Sequence, residues 1–309
     1  MTSDLAIRVA ACREAFHRDG VVHIPGALDA ANQAIAREMF DWSRAHPGQA
    51  AWDVALGGPD ETVFIDTHNP AARAPYRELL ARSAMPEIAA AVLGVDAVWF
   101  LGEQIFVKQG AQGTRSTPWH QDSDLPIDAT GALAMWMAFE PLDIEAGLKF
   151  VRGSHRGPCL NPVMAVDEGG VPQYLYPTAA EMPPFPDIDA DPRGYDVVSW
   201  AYEPGDLILF HSMTIHGGAT VPARGCPQIA SVQVYQLNGD DRRAAISASV
   251  KRDGSCRAGL GPDGQLGTAT TGMALVSLAG VSREVRYTTV TSCLVNALGY
   301  HDSLSYDNA

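Results

Sequence analysis

Leu5, Val9, Cys12 and Phe16 recur at three- and four-residue spacing within residues 5–18, which predicts an amphipathic helix. Asp19-Gly20 ends it, and Val21-Val22-His23-Ile24 reads as a short strand closed by Pro25-Gly26. A second helix is predicted over 29–45 with Asp29 as N-cap. One or two more follow over 71–93, the last opening at Met85-Pro86 and ending at Gly94. Beyond residue 97 the pattern changes to strand-like runs separated by turn residues: Val98 to Leu101, Gln104 to Lys108, Leu133 to Phe139, Lys149 to Val151, Leu207 to Phe210 and Ile229 to Leu237. Short strands in series after leading helices predict a mainly β fold, a sandwich or jelly roll with helices packed outside. Residues 157–196 are rich in Pro, Gly and Asp without periodicity, which marks a lid or binding loop. The expected organisation is a single domain over 1–309. Its parts are a mostly helical stretch 1–96, a β core 97–240 carrying the lid, and an extension 241–309 with further strands expected over 273–298.

Composition supports this picture. Hydrophobic residues make up 46% and charged residues 19% of the chain, enough to build a packed core and too apolar for disorder. The formal net charge of −14 disfavours nucleic acid as a partner. Five dispersed cysteines without a CxxC pair read as free, buried thiols of a reducing compartment. No leader-like apolar stretch and no membrane span is recognised, so a cytoplasmic protein is expected.

The candidate chemistry centres on Thr117-Pro-Trp-His-Gln-Asp122. Alternate side chains of a strand share a face, so His120 and Asp122 reach toward one point. A third metal ligand must come from elsewhere, and His216 is the candidate, with His211 five residues before it as the rival. Two histidines and one carboxylate on one face of an octahedron leave three positions open, the facial triad of Fe(II) oxygenases.

Several blocks, in order, resemble the phytanoyl-CoA dioxygenase family of Fe(II)/2-oxoglutarate oxygenases. They are Phe16-His-Arg-Asp-Gly20-Val-Val-His-Ile-Pro25-Gly26, Phe106-Val-Lys108, Trp119-His-Gln-Asp122, Leu133-Ala-Met-Trp136-Met-Ala138, Gly147 through Arg156, and Pro204-Gly-Asp206 leading to His211 and His216-Gly217. The resemblance implies a double-stranded β-helix (a cupin-like jelly roll) with Fe(II), 2-oxoglutarate and O₂, and oxidation of a small organic molecule, with specialised metabolism a reasonable setting. It selects His216 over His211 as the third ligand. It points Lys108 at the co-substrate, with Gln104 and Trp136 as further lining residues, and gives Trp119 and Arg156 to the substrate pocket. Asp122 favours hydroxylation or another oxidation over halogenation, because related halogenases put a small residue at that place.

One departure stands out. The family places an arginine shortly after the distal histidine to pair with the far carboxylate of 2-oxoglutarate. Here the stretch reads Cys226-Pro-Gln228-Ile-Ala-Ser231. Lys108, Arg224, Arg115 and Arg156 are candidate substitutes, and Gln228 offers a neutral hydrogen bond to a different oxo acid. Two other readings are an Fe(II) enzyme that uses no 2-oxoglutarate and a non-catalytic binding protein on the same fold. An open metal site argues against the latter, since structure alone does not need one.

Overall fold

The hydrophobic pattern becomes helices packed against one of two facing sheets. The computed structural model describes residues 1–48, 51–55, 61–110, 113–122, 132–160, 163–166, 172–174, 182–191, 193–222, 228–238, 271–277 and 285–290. In chain order the elements are α1 (Ser3–Asp19), β1 (Val21–Ile24), α2 (Ala30–Ala45), β2 (Trp52–Ala55), β3 (Glu61–Thr67), α3 (Arg73–Ala81), α4 (Met85–Leu93), β4 (Ala97–Gly110), β5 (Thr117–His120), β6 (Ala132–Ala138), β7 (Leu148–Val151), β8 (Val163–Val166), β9 (Pro172–Tyr174), β10 (Val197–Ser199), β11 (Leu207–Phe210), β12 (His216–Gly218), β13 (Gln228–Asn238), β14 (Thr271–Ser277) and β15 (Val285–Val290). Helix ends follow local chemistry. Thr2 caps α1, Asp29 caps α2, and Gly20 and Gly94 close α1 and α4 in the left-handed conformation.

The large sheet runs β1-β11-β6-β13-β4-β14-β15, with β3 also on β4 and β2 on β3. The small sheet runs β10-β7-β12-β5. All pairings are antiparallel. The outer face of the large sheet, with Leu133, Met135, Leu209, Val232 and Val234, buries Phe16, Met39, Tyr76 and Ile88 of the helices. Its inner face, with Trp136, Phe210, Ile229 and Tyr235, meets Leu148 and Phe150 of the small sheet. Strand β6 is buried along its whole length. It therefore reads as an uninterrupted apolar run rather than an alternating one. Two facing antiparallel sheets make the fold the expected cupin-like jelly roll.

Two regions differ from the sequence reading. Residues 1–96 are not only helical, because β2 and β3 form a hairpin whose second strand pairs with β4 from Glu61↔Gly110 to Thr67↔Gln104. That partner is remote in sequence, so a local pattern does not reveal it. Within 157–196, β8 pairs with β9, so the stretch is not structureless. Its Leu160, Phe185 and Ile188 pack with Val151 and Ile215 on the small sheet's outer face. In 241–309, where further strands are expected over 273–298, the described residues are β14 and β15, with β14 paired to the start of β4. No helix among the described residues is long and apolar enough to cross a membrane.

The junction between α1 and β1 fastens the loops of the site. Gly20 O accepts hydrogen bonds from His211 N and from Thr214 Oγ1, both at 2.8 Å. Gly153 N donates to Asp19 O. The His155 ring lies against the Gly20 Cα, and Gly20 holds a φ of +76°. Ser154 Oγ donates to Val151 O and accepts from Ile215 N, which ties this turn to the strand that carries His216. A Cβ at Gly20 strains the backbone and strikes the imidazole. Gly20→Ala should cost about 2–5 kcal/mol. Chemical denaturation checks this, and an unchanged midpoint contradicts the packing described.

Candidate metal centre

Strands β5 and β12 pair so that His120 faces His216, with Phe150 of β7 on the other side of His216. Asp122 follows β5, and its backbone N donates to Ser212 O at 2.8 Å. Gln121 points the opposite way and is fully buried. Its Nε2 donates to Met213 O and Pro158 O, and its Oε1 accepts from Leu160 N. These bonds fix the end of β5 against the 212–213 turn and aim Asp122 inward. One ligand atom from each of His120, Asp122 and His216 lies within 4.8 Å of the others. Both histidine Nε2 atoms stand 3.5 Å from Asp122 Oδ1.

The other ring nitrogens decide the tautomers. His120 Nδ1 is 2.8 Å from Pro118 O, and His216 Nδ1 is 2.9 Å from Thr214 O. A carbonyl only accepts, so each Nδ1 carries a proton and Nε2 is the nitrogen left to turn toward a metal. Burial first, and then repulsion from His120, lowers the His216 pKa to about 4 against the pull of Asp122, so the ring is neutral at pH 7. Burial alone would raise the Asp122 pKa, but His216, His120 and Gln233 together outweigh it and hold the carboxyl below its ordinary value. Neutral imidazoles and an ionised carboxylate are the protonation states that a metal needs. Ligands about 2.0–2.2 Å from a metal at right angles stand about 3 Å apart. The observed spacing therefore closes on an ion with a small inward shift. The donor set fits a facial triad.

The second oxygen of Asp122 is also held. Gln233 Nε2 donates to Oδ2 at 2.9 Å. Tyr235 Oη lies 3.4 Å from that oxygen and 2.7 Å from Gln104 Oε1. His68, at φ +49°, stacks on the Tyr235 ring with centroids 5.4 Å apart. Its Nδ1 bonds Thr67 Oγ1, and burial keeps the ring neutral with a pKa of about 4. Gly102 makes room for that ring, since a Cβ there would meet it.

Register places Gln104 and Lys108 of β4 opposite Gln233 and Ile229 of β13, on the inner face. Trp136 of β6 also pairs with Gln233, and its ring meets Tyr202 edge-on at 5.1 Å. Lys108 is buried, and its Nζ donates to the neutral Thr117 Oγ1 at 3.3 Å. Burial, partly opposed by Glu61, lowers its pKa to about 8.

Other predicted residues fall elsewhere. Trp119 is adjacent to His120 in the strand and so projects from the opposite face. It packs against Val151, Ile188 and Ile215, away from the three ligand side chains. Arg156 is exposed on the turn after Gly153, with no contact to the triad among the described residues. Arg115 is exposed, 3.9 Å from Glu61. Gln228 accepts from Gln109 and donates to Glu140. Its neighbour Ile229 takes the inner face, so Gln228 is turned away from the cavity. Arg224 lies outside the described residues. His211 is fully buried and its Nδ1 accepts from Met213 N, which makes it a structural residue of the turn. His68, Gln121, Gln233 and Tyr235 were not singled out from the sequence. A signal was present for two of them. Ser231-Val-Gln233-Val-Tyr235 alternates polar with apolar residues inside a buried strand, the mark of a polar cavity on one face.

Comparison with known proteins agrees with this geometry. The epimerase SnoN in complex with Fe3+, alpha ketoglutarate and nogalamycin RO is 21% identical, with 77% of this chain and 85% of that chain covered at a TM-score of 0.52. AviO1 from Streptomyces viridochromogenes Tue57 is 18% identical over 74% of this chain and 95% of its own, also at 0.52. EctD from S. alaskensis with 2-oxoglutarate and 5-hydroxyectoine is 22% identical over 78% and 79%, at 0.51. At such identities these likenesses establish the shared fold. No curated protein matches the chain at the sequence level. The family model for phytanoyl-CoA dioxygenase matches residues 16–222, a span that holds His120, Asp122 and His216. The chain therefore belongs to the phytanoyl-CoA dioxygenase family.

Proposed function

We propose that this protein is an Fe(II)- and 2-oxoglutarate-dependent oxygenase that oxidises a C–H bond of a small organic molecule. The observation that carries the reading is the convergence of His120 Nε2, His216 Nε2 and Asp122 Oδ1 with both Nδ1 atoms tied to backbone carbonyls. Three protein ligands leave room for a chelating oxo acid and for O₂. Bound Fe(II) and 2-oxoglutarate would supply the electrons that activate O₂, the oxidant, toward an unactivated C–H bond. The chain's own residues do the rest. His120, Asp122 and His216 hold the metal. Lys108 Nζ offers a charge-assisted hydrogen bond to the far carboxylate in place of the arginine, because a buried ammonium needs an anionic partner. Gln104 and Trp136 line the same face. Phe150, Phe210 and Trp136 keep the inner wall apolar, which limits water at the reacting centre. No side chain is required to act as a general base.

The neighbours include proteins described as an epimerase and a carbocyclase. Product mass spectrometry therefore decides the outcome here, be it hydroxylation or another oxidation. The absent arginine and the outward turn of Gln228 favour a second reading, an Fe(II) enzyme that works without 2-oxoglutarate. Formation of succinate separates the two. Oxygen consumption separates both from a non-catalytic binding protein.

Anaerobic Fe(II) with 2-oxoglutarate should give a weak visible charge-transfer band. Iron binding without any band moves the assignment to the second reading. His216→Ala should weaken Fe(II) binding by more than about 100-fold, since loss of a direct ligand exceeds what outer partners contribute. Full iron occupancy and turnover in that variant contradict the ligand set. The Lys108 ammonium is the form that binds an anion, and its pKa lies near 8 in the folded chain. Affinity for 2-oxoglutarate should thus be steady below pH 8 and fall about tenfold per pH unit above it. Lys108→Met should weaken binding by about 100-fold or more and flatten the profile. A variant with wild-type affinity contradicts the anchor.

A further inference from the structure

Asp122 has two oxygens with different surroundings. Oδ1 faces both histidine Nε2 atoms at 3.5 Å. Oδ2 takes the Gln233 Nε2 hydrogen bond at 2.9 Å, with Tyr235 Oη a further 3.4 Å neighbour. The carboxylate only accepts, so the nitrogen end of the Gln233 amide must face it. Gln233 is 3% exposed and sits in the middle of β13, paired on both sides by β4 and β6. It has little freedom to swing away. Tyr235 is held in turn by two contacts, the second of them buttressed. Its hydroxyl donates to Gln104 Oε1 at 2.7 Å, its ring stacks on His68, and His68 is fixed by Thr67. The left-handed backbone of His68 is a strained conformation for a residue with a side chain. The stack on Tyr235 and the bare Gly102 beneath the ring are what the chain gains from it.

A carboxylate free to rotate can give a metal both oxygens. The second oxygen then takes one of the three open positions, which confines a chelating oxo acid to a single pair of positions and leaves none for O₂. We infer that Gln233 and Tyr235 are positioning residues that hold Asp122 to one metal-facing oxygen and so keep a coordination position open for the co-substrate. Gln233 supplies the direct bond. Tyr235 gives its one hydroxyl proton to Gln104 on the co-substrate face and, 3.4 Å from Oδ2, limits rotation of the carboxylate by packing. The inference rests on the function proposed above.

The arrangement predicts a split between metal and co-substrate affinity. Gln233→Leu keeps the size of the side chain and removes the donor. Tyr235→Phe removes only the hydroxyl and is the milder variant should the first fold poorly. Fe(II) affinity is measured without oxygen by competition with a chromophoric chelator. 2-Oxoglutarate affinity is then titrated on the iron-loaded protein through the charge-transfer band. In Gln233→Leu, Fe(II) should bind as tightly as in the wild type or tighter. 2-Oxoglutarate should bind about 10–100-fold more weakly, with the band displaced. Tyr235→Phe should show the same split to a smaller extent. A residue that merely packs would weaken both affinities together or neither, and either result overturns the inference. A wild-type protein with iron but no band overturns the co-substrate reading and this inference with it. A wild-type band that both variants reproduce in position and affinity overturns the inference alone.

Discussion

The site depends on how closely β5 and β12 approach. Their register sets His120 against His216, and the two glycines after His216 permit it. A Cβ at Gly217 would lie 2.9 Å from Thr117 O, and one at Gly218 would lie 2.9 Å from Gly147 O. A side chain at Gly217 would push β12 away from β5 and part the two imidazoles, and one at Gly218 would push it away from β7. Gly218 also holds a φ of +86°, which bends the strand just past the ligand. Everything else in the site presupposes this contact. Gln121 anchors the β5 side to the 212–213 turn, and Ser154 and Gly20 anchor the β12 side.

The electrostatics follow from burial. The ionised Asp122 and the neutral His216, whose ring is packed by Phe150 and Phe210, give the site a negative charge that a cation would offset. On β4, Lys108 is a buried ammonium whose Nζ meets the neutral Thr117 hydroxyl, with the Glu61 carboxylate acting on its charge.

Much of this was legible in the sequence because it is local. Helix periodicity and caps gave α1, α2 and α4, and the HxD spacing on a strand gave His120 and Asp122. His216 needed the order of motifs around it, since spacing alone left His211 in play. What was not legible is non-local. The β2–β3 hairpin depends on β4, and the clamp on Asp122 depends on β13 pairing in one register with β6 and β4. Trp119 is the instructive case. Strand alternation puts it on the face opposite His120, so the rule that joined His120 to Asp122 also sets Trp119 apart from both. Gln228 fails by the same parity, with Ile229 taking the inner face.

The most direct test of the account is a crystal structure of the protein loaded without oxygen with Fe(II) and 2-oxoglutarate, with the iron located by anomalous scattering. The account predicts one iron at about 2.0–2.2 Å from His120 Nε2, His216 Nε2 and Asp122 Oδ1. Asp122 Oδ2 should remain on Gln233, and the far carboxylate of the co-substrate should rest on Lys108. Iron bound elsewhere, or a co-substrate whose far carboxylate lies away from Lys108, would contradict it.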